Sequence, residues 1–493
     1  MTLTKINMRL SELISEWASV VAEDDVHITG ICEYSGDCVA GDLFLATKSC
    51  SYIEQAVRAG AVAVLCDDTL RHEVAELACA VPIVTVPNVA ACSHQIIERF
   101  YKQAEMTLQT VAVTGTDGKT SVSHLLAQAL TNIGQPCGLI GTLGYGYLQQ
   151  LRPANHTTPT VAKMAKELQL LVDSGCQVVA IEASSHGIDQ GRLANTRVDV
   201  AVLTNITRDH LDYHHTMENY IAAKAALFFS SGAHCAVLNI DDENGKKWYQ
   251  ELNSKINVVS YSLSNSDADL YVKNVNYHAS GTNILINISG QDHELELALF
   301  GQFNVLNILA VAATLTSLGH AQQTIVKALA KLEAVPGRMQ FIPNQQMLSI
   351  IVDYAHTPAA LSCALNAVRE HCQGRLTCVF GCGGDRDKGK RAKMGEIASR
   401  YADDIVITSD NPRYEIPENI MRDIAEGCLE DSQPVQIVDR RAAISHALNH
   451  AKSNDTVLIA GKGHEKIQVI GDQYIAFDDT LVAQQVLAEA ACG

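Results

Sequence analysis

From residue 110 onward the chain alternates short, continuous apolar runs with longer helical or loop stretches, and few folds accommodate that rhythm. The runs are TVAVTG at 110–115, QVVAIEA at 177–183, VDVAVLTN at 198–205 and HCAVLN at 234–239. Strands that are apolar throughout are buried on both faces, and strands separated by helices pair in parallel through crossovers. The expectation is a doubly wound parallel sheet. Between about 256 and 300 the pattern turns to period-2 alternation (YVKNVNYHAS, NILINIS, HELELAL), the mark of antiparallel hairpins appended to that sheet. EAVPGRMQ at 333–340 places Pro and Gly after a helix and makes a boundary, beyond which a second α/β rhythm begins: LSIIVDYA, RLTCVFG, DIVITS, TVLIAG. Upstream, DLFLAT at 42–47, AVAVLC at 61–66 and VPIVTV at 81–86 read as a small α/β unit, and the helical stretch SHQIIERFY leads out of it. The fold class is therefore α/β in three domains: 1–88, a central 89–335, and a Rossmann-like 336–493. A length of 493 residues agrees, at roughly 150 residues per domain.

Composition narrows the function classes. With 47% hydrophobic and 19% charged residues the chain is globular, neither disordered nor collagenous. A net charge of −18 argues against a broad nucleic-acid or anionic-membrane footprint, but not against a small phosphorylated ligand, which needs only a local positive site. No apolar run reaches the ~18 residues of a membrane span, and MTLTKINMRLSELISEW lacks a signal-peptide core, so a cytoplasmic protein is expected. The fifteen cysteines are scattered without a C-x-x-C, the closest pair being Cys378 and Cys382, and are expected to be buried, reduced thiols.

Strand TVAVT runs into Gly115-Thr116-Asp117-Gly118-Lys119-Thr120-Ser121 and then into the helical SVSHLLAQAL. A strand, a glycine turn and Lys-Thr opening a helix cradle phosphate: backbone N–H groups and the helix N-terminus face the anion, Lys119 adds a point charge, and Thr120 can hold Mg²⁺. The first glycine of the usual longer pattern would fall at Val113, so the loop departs from it; an ordinary βα turn is the plainer alternative. Two further strand ends share that sheet edge. One carries Glu182 before Ala183-Ser184-Ser185-His186-Gly187; the other leads to Arg208-Asp209-His210-Leu211-Asp212. A carboxylate and an imidazole there suit the metal that accompanies a nucleotide triphosphate. A capping carboxylate and a packed core histidine are the plainer readings. Asp209, His210, Asp212, His214 and His215 also raise a metal phosphohydrolase, which leaves the phosphate loop unexplained. On residue type alone, Lys224, on the otherwise apolar helix around YIAAK, reads as a lysine snorkelling to solvent.

These segments, with NHTTPT, IEASSHGIDQGRL, GQFNVLN at 301–307, PGRM at 336–339, DYAHTP at 353–358, GCGGDRDKGKR at 381–391, SDNPR at 409–413 and GKGHE at 461–465, resemble the Mur ligase family, in order, from about 110 to the C-terminus. That family comprises ATP-dependent amide-forming enzymes of peptidoglycan precursor synthesis. Asp410–Arg413 resembles its form that selects meso-diaminopimelate over lysine. The resemblance implies that the D-glutamate side-chain carboxylate of UDP-N-acetylmuramoyl-L-alanyl-D-glutamate attacks the ATP γ-phosphate. The diaminopimelate amine would then attack the acyl phosphate.

Carried over by position, Gly115–Ser121, with Lys119 as phosphate lysine, and Asn304, Asn307, Arg338 and Asp353 are expected at ATP. Thr120 and Glu182 are expected at one Mg²⁺; His210 and Lys224, the latter carbamylated (N6-carboxylysine), at a second metal. Lys119, Glu182, His210 and Lys224 form the implied catalytic set. Thr157, Thr158, Ser184, Gln190 and Arg192 are expected at the muramoyl dipeptide, and Arg386, Asp410, Asn411, Pro412, Arg413, Gly461 and Glu465 at diaminopimelate. An arginine fork for the distal carboxylate and Glu465 for the ammonium is sensible chemistry. The implied partners are small molecules only, and the chain is expected to be a monomer. Two departures stand out. Asp117 replaces the family's usual Asn, adding negative charge near phosphate. The N-terminal signature reads Tyr34-Ser35-Gly36, with a shortened Lys48-Ser49-Cys50-Ser51 loop, so only Ser35 is carried over there. A folylpolyglutamate-type ligase does not account for DNPR and GKGHE together. An inactive precursor-binding paralogue conflicts with the intact Lys119, Glu182, His210 and Lys224.

Overall fold

The structure is a computed structural model that describes residues 6–47, 49–77, 79–101, 108–345 and 347–492, the side chains of 490–492 excepted; Lys48 lies outside this set. The chain divides into two compact units, Met1–Tyr261 with Ala310–Ala321, and Ser262–Leu309 with Gln322–Gly493.

In the first unit, four parallel strands (Gly30–Cys32, Asp42–Ala46, Ala63–Asp67, Ile83–Val86) form a small sheet. Its apolar side chains pack against the helix Val89–Tyr101. The larger sheet places Gln109–Thr114 at its centre. Val178–Glu182 and then Cys137–Gly141 lie on one side, and Val200–Leu203, Cys235–Asn239 and Asn257–Ser262 on the other, all parallel. The crossovers reverse direction at Gln109–Thr114, and ligands of open α/β sheets bind beyond the carboxyl ends of strands at such a switch point. The phosphate loop follows that central strand. Glu182 ends one neighbour, and Thr204-Asn205 follows the other. Every residue of Val178–Glu182 and Val200–Leu203 is buried, as continuous apolar runs require.

The second unit begins with the antiparallel strands Leu270–His278, Gly281–Ile288 and Gln291–Leu297, where period 2 placed hairpins. Its main sheet runs Gln340–Phe341, Ser349–Asp353, Thr456–Ala460, Leu376–Phe380, Asp404–Thr408, Val435–Ile437, parallel except at the first pair. DYAHTP, GCGGDR, SDNPR and GKGHE all follow carboxyl ends of these strands.

Two expectations need correction. Cys32 and Cys38 form a disulfide rather than two thiols: the one-turn helix Ser35–Asp37 folds the chain back until their Cα atoms lie 5.6 Å apart, within bridging range. Lys224 does not snorkel. Its helix, Met217–Phe229, turns it inward, and the side chain is 1% exposed.

Beneath the second sheet's edge, Arg440 and Asp479 form a fully buried ion pair (Nη2 to Oδ2, 2.7 Å). Arg440 also donates to the carbonyls of Ala460 (3.0 Å) and Ser409 (3.5 Å), joining the loops that carry GKGHE and SDNPR. Removing one partner leaves an uncompensated buried charge. Asp479→Ala should cost about 3–5 kcal/mol of unfolding free energy, read from urea denaturation, and Arg440→Met/Asp479→Leu should recover much of it.

Candidate functional site

In the first unit the phosphate loop is shaped by backbone need. Gly115 (φ +152°) leaves no room for a Cβ, which would overlap Thr204 Oγ1, and Gly118 (φ +82°) enters the helix Lys119–Asn132 in the left-handed region. Asn205 steadies the loop by accepting from the N–H of Asp117 (3.0 Å) and, through its carbonyl, from that of Thr116 (2.8 Å). The Asp117 residue itself is exposed.

Glu182 is fully buried. Its Oε2 accepts from the hydroxyls of Thr120 (2.8 Å) and Thr142 (3.0 Å), and its Oε1 from the N–H of Thr142 (2.8 Å). Burial raises its pKa, an effect that these bonds and nearby Lys119 oppose. Thr120 Oγ1 and a Glu182 oxygen, at hydrogen-bond distance, are hard oxygen donors of the kind that would suit Mg²⁺.

Lys119 Nζ donates to the carbonyls of Gly115 (2.9 Å) and Thr116 (2.7 Å). Lys224 Nζ reaches the same Gly115 carbonyl at 2.7 Å and lies 4.6 Å from the Tyr220 ring centroid. Burial, reinforced by the charge of Lys119, lowers the Lys224 pKa to about 6. His210 adopts φ +52°, is half exposed, and sits 4.8 Å from the His186 ring and 6.3 Å from that of Tyr220. Tyr220 thus adjoins both His210 and Lys224, and its hydroxyl shares a 3.0 Å hydrogen bond with Thr116 Oγ1. Asp209, His210, Asp212, His214 and His215 do not close on one point. Among the described residues, the only three His, Cys, Asp or Glu side chains with donor atoms mutually within 4.8 Å are Cys32, Cys38 and Asp42, two of them in the disulfide. The phosphohydrolase reading has no geometric support.

The residues expected at the muramoyl dipeptide form one network with Glu182. Thr157 shares a hydrogen bond with Thr142 (3.0 Å), and Thr158 donates to the Glu182 carbonyl (2.7 Å) and pairs with Ser184 Oγ (3.0 Å). Arg192 donates to the Thr158 carbonyl (2.7 Å) and to Gln190 Oε1. Ser35 is buried and donates to Gln55 (2.9 Å); in the same turn, Asp37 accepts from Asn155 (2.7 Å), two residues before Thr157.

In the second unit Asp353 is half-buried at the end of its strand, and desolvation raises its pKa. It accepts from the N–H groups of Met339 and Ala355, which places PGRM beside DYAHTP. Arg338 stacks 4.9 Å over Tyr354. Asn304 and Asn307 are both buried near the start of the helix Gln302–Ser317, Asn307 Nδ2 donating to Asn304 Oδ1 (3.0 Å). Arg413, at φ +51°, donates to the Gly384 carbonyl (2.7 Å). A Cβ on Gly383 would meet Arg413 Nη1 at 3.0 Å and Arg386 Cγ at 3.8 Å, so the two arginines flank that glycine. Pro412 accepts from the N–H of Glu415 through its carbonyl. Gly461 (φ +113°) leaves space for Asp410, whose Oδ2 would lie 2.8 Å from a Cβ there. Asn411 donates to Glu465 Oε2 (2.9 Å).

Sequence reasoning missed several participants. Thr142 follows the Gly-bearing strand Cys137–Gly141, whose short CGLIG run did not register as a strand. Arg391 belongs to a basic run that reads as a solvated helix start. It is 1% exposed and paired with Glu415 (2.8 Å) and Asp423 (2.8 Å), beneath the SDNPR loop.

The middle-domain family of Mur ligases matches residues 113–315, and the family described as Mur ligase, glutamate ligase domain, matches 337–463. The chain belongs to the Mur ligase family. Within it, the chain is 42% identical to a UDP-N-acetylmuramoyl-L-alanyl-D-glutamate--2,6-diaminopimelate ligase of Alkalilimnicola ehrlichii, over 98% of this chain and 99% of that one. It is also 42% identical to the Pseudomonas syringae pv. tomato enzyme of the same name, over 91% and 92%. A solved structure bearing that name superposes with a TM-score of 0.71 at 34% identity, covering 98% of this chain and 99% of that one.

The Lys224 pKa shift has a measurable sign. Between pH 6 and 10.5 the unfolded chain holds a proton that the folded chain lacks, so stability rises with pH across that window. Lys224→Met should therefore be more stable than the parent in CO₂-free buffer, by a margin that is constant below about pH 6 and vanishes near pH 10.5. Urea midpoints across pH check this; a parent chain more stable than the variant at pH 6 contradicts it.

Proposed function

We propose that this chain is the ATP-dependent ligase that joins meso-diaminopimelate to UDP-N-acetylmuramoyl-L-alanyl-D-glutamate in peptidoglycan precursor synthesis. The observation that carries the acceptor assignment is the SDNPR loop, which sets Arg413 beside Arg386 and Asn411 on Glu465. An arginine pair takes a distal carboxylate, and a glutamate takes the ammonium next to it. Near full-length similarity to diaminopimelate ligases supports the same reading.

A carboxylate is a poor acylating agent, and phosphorylation supplies the leaving group. The D-glutamate side-chain oxygen attacks the γ-phosphorus of ATP, ADP departs, and the acyl phosphate keeps the phosphoryl group. The diaminopimelate amine then bonds to the acyl carbon, phosphate leaves, and the amine loses a proton. In this scheme Lys119 exchanges its carbonyl partners for phosphate oxygens and opposes the charge of two approaching anions. Thr120 and Glu182 would hold Mg²⁺, with His210 and Lys224 at a second ion; bound metal neutralises phosphate charge. A pKa near 6 leaves Lys224 as a free amine at neutral pH, the form that adds CO₂ to give a carbamate and a proton. Thr157, Thr158, Ser184, Gln190 and Arg192 hold the muramoyl dipeptide, with Ser35 near its nucleotide end. Asn304, Asn307, Arg338 and Asp353 meet ATP.

We read the chain as three functional parts, 1–88 for the UDP end, 89–335 for ATP and 336–493 for the amino acid, working as a cytoplasmic monomer. Among the described residues no helix is long and apolar enough to cross a membrane. Phosphate release with ATP, Mg²⁺, UDP-muramoyl dipeptide and each amino acid in turn tests the proposal. Turnover should require all substrates and prefer diaminopimelate to lysine; turnover without diaminopimelate, or a preference for lysine, rejects the acceptor. Lys119→Ala should lower kcat by about 10²–10³-fold.

A further inference from the structure

Lys462 is fully buried, yet it is no member of the recognition set that the sequence motifs supplied. All three of its ammonium protons are engaged: Nζ donates to Asn411 Oδ1 (3.1 Å), Glu465 Oε2 (3.1 Å) and the Ile467 carbonyl (2.7 Å). Two of those acceptors are side chains of the amino-acid site, from two separate motifs. Asn411 Oδ1 also accepts from the Val469 N–H (3.0 Å), and Asn411 Nδ2 donates to the same Glu465 oxygen that Lys462 holds, at 2.9 Å. Glu465 Oε2 therefore has two donors, while no hydrogen bond from the described residues reaches Oε1. The Glu465 side chain is about one-third exposed and that of Lys462 wholly enclosed, so the array has one open end.

A buried ammonium is costly unless it is paired and fully hydrogen-bonded, and a packed apolar side chain would fill the space at less cost. What the lysine supplies is orientation and charge. It fixes one Glu465 oxygen inward and clamps the Asn411 carboxamide so that its Nδ2 faces Glu465. Groups held in this way need no reordering when a ligand arrives.

We infer that Lys462 is a positioning residue for amino-acid selection, acting through Glu465 and Asn411 to present Glu465 Oε1 to the substrate ammonium. The inference rests on the proposed amino-acid site in this unit, and the test separates the two. The full-length protein is assayed by phosphate release, with diaminopimelate titrated at saturating ATP and UDP-muramoyl dipeptide, for the parent, Lys462→Met, Glu465→Gln and the double variant. Glu465→Gln and Lys462→Met should each raise the KM for diaminopimelate by about tenfold or more, the loss of one charge-assisted contact. KM for ATP should stay within about twofold, and the double variant should be no worse than the poorer single, because both changes act on one contact.

If Glu465→Gln raises that KM and Lys462→Met leaves it unchanged, the Lys462 inference falls and the site stands. If Glu465→Gln itself has no effect, the site reading at Glu465 falls and takes the inference with it. A Lys462→Met variant that raises the KM for ATP and diaminopimelate together, or lowers kcat alone, marks the lysine as merely structural and overturns the inference, as does full additivity in the double variant. Should Lys462→Met melt below the assay temperature, Lys462→Gln, which keeps a donor at shorter reach, is judged by the same criteria.

Discussion

Two lysine side chains from different helices end on one backbone oxygen, the carbonyl of Gly115, at 2.9 and 2.7 Å. Much of the first unit's site depends on that convergence. Burial, and after it the charge of Lys119 on the same acceptor, lowers the affinity of Lys224 for a proton. Gly115 takes a backbone conformation that residues with a side chain rarely adopt, and Thr204 packs where such a side chain would stand. Thr116 ties the same loop to Tyr220, which adjoins both Lys224 and His210. One peptide group thus couples the phosphate loop to the helix Met217–Phe229.

The second unit solves a similar problem with charges placed beneath the site. Arg440 with Asp479, Arg391 with Glu415 and Asp423, and Lys462 with Glu465 are cations largely or wholly removed from water. Each hydrogen-bonds to, or lies under, a loop leaving a strand's carboxyl end. Such pairs add little net stability compared with apolar packing, but leave few alternative loop conformations in which every charge stays satisfied. Of the two arginines expected at the amino acid, Arg386 is exposed and Arg413 half-buried. The net charge of −18 accordingly says little about the site.

The order of elements was legible because burial leaves a direct trace in the chain. VVAI and VAVL are apolar without interruption and lie in central strands. NILINIS alternates and is a hairpin strand. Gly115, Gly118, Lys119 and Thr120 stood out as a candidate phosphate loop because a glycine turn from a strand into a helix that opens on Lys-Thr suits that role. The supporting contacts were not. Thr142 has no motif of its own and matters only because two strands bring it to Glu182. Lys462 and Arg391 look like any surface cation until their neighbours are known. The Cys32–Cys38 bridge depends on a turn that composition does not announce.

What the chain determined by itself was therefore the parallel α/β framework, the phosphate loop, and the identity of the residues at the strand ends. Local periodicity and residue chemistry are written into the order of amino acids. Tertiary structure alone decided which of those residues are enclosed, which share an acceptor, and which carboxylate oxygen is left open. Burial and pairing are properties of segments distant in sequence: Glu182 with Thr142, Lys224 with Gly115, and Lys462 with Asn411 are 40, 109 and 51 residues apart. Folding sets those distances, and with them which proton or contact each side chain keeps.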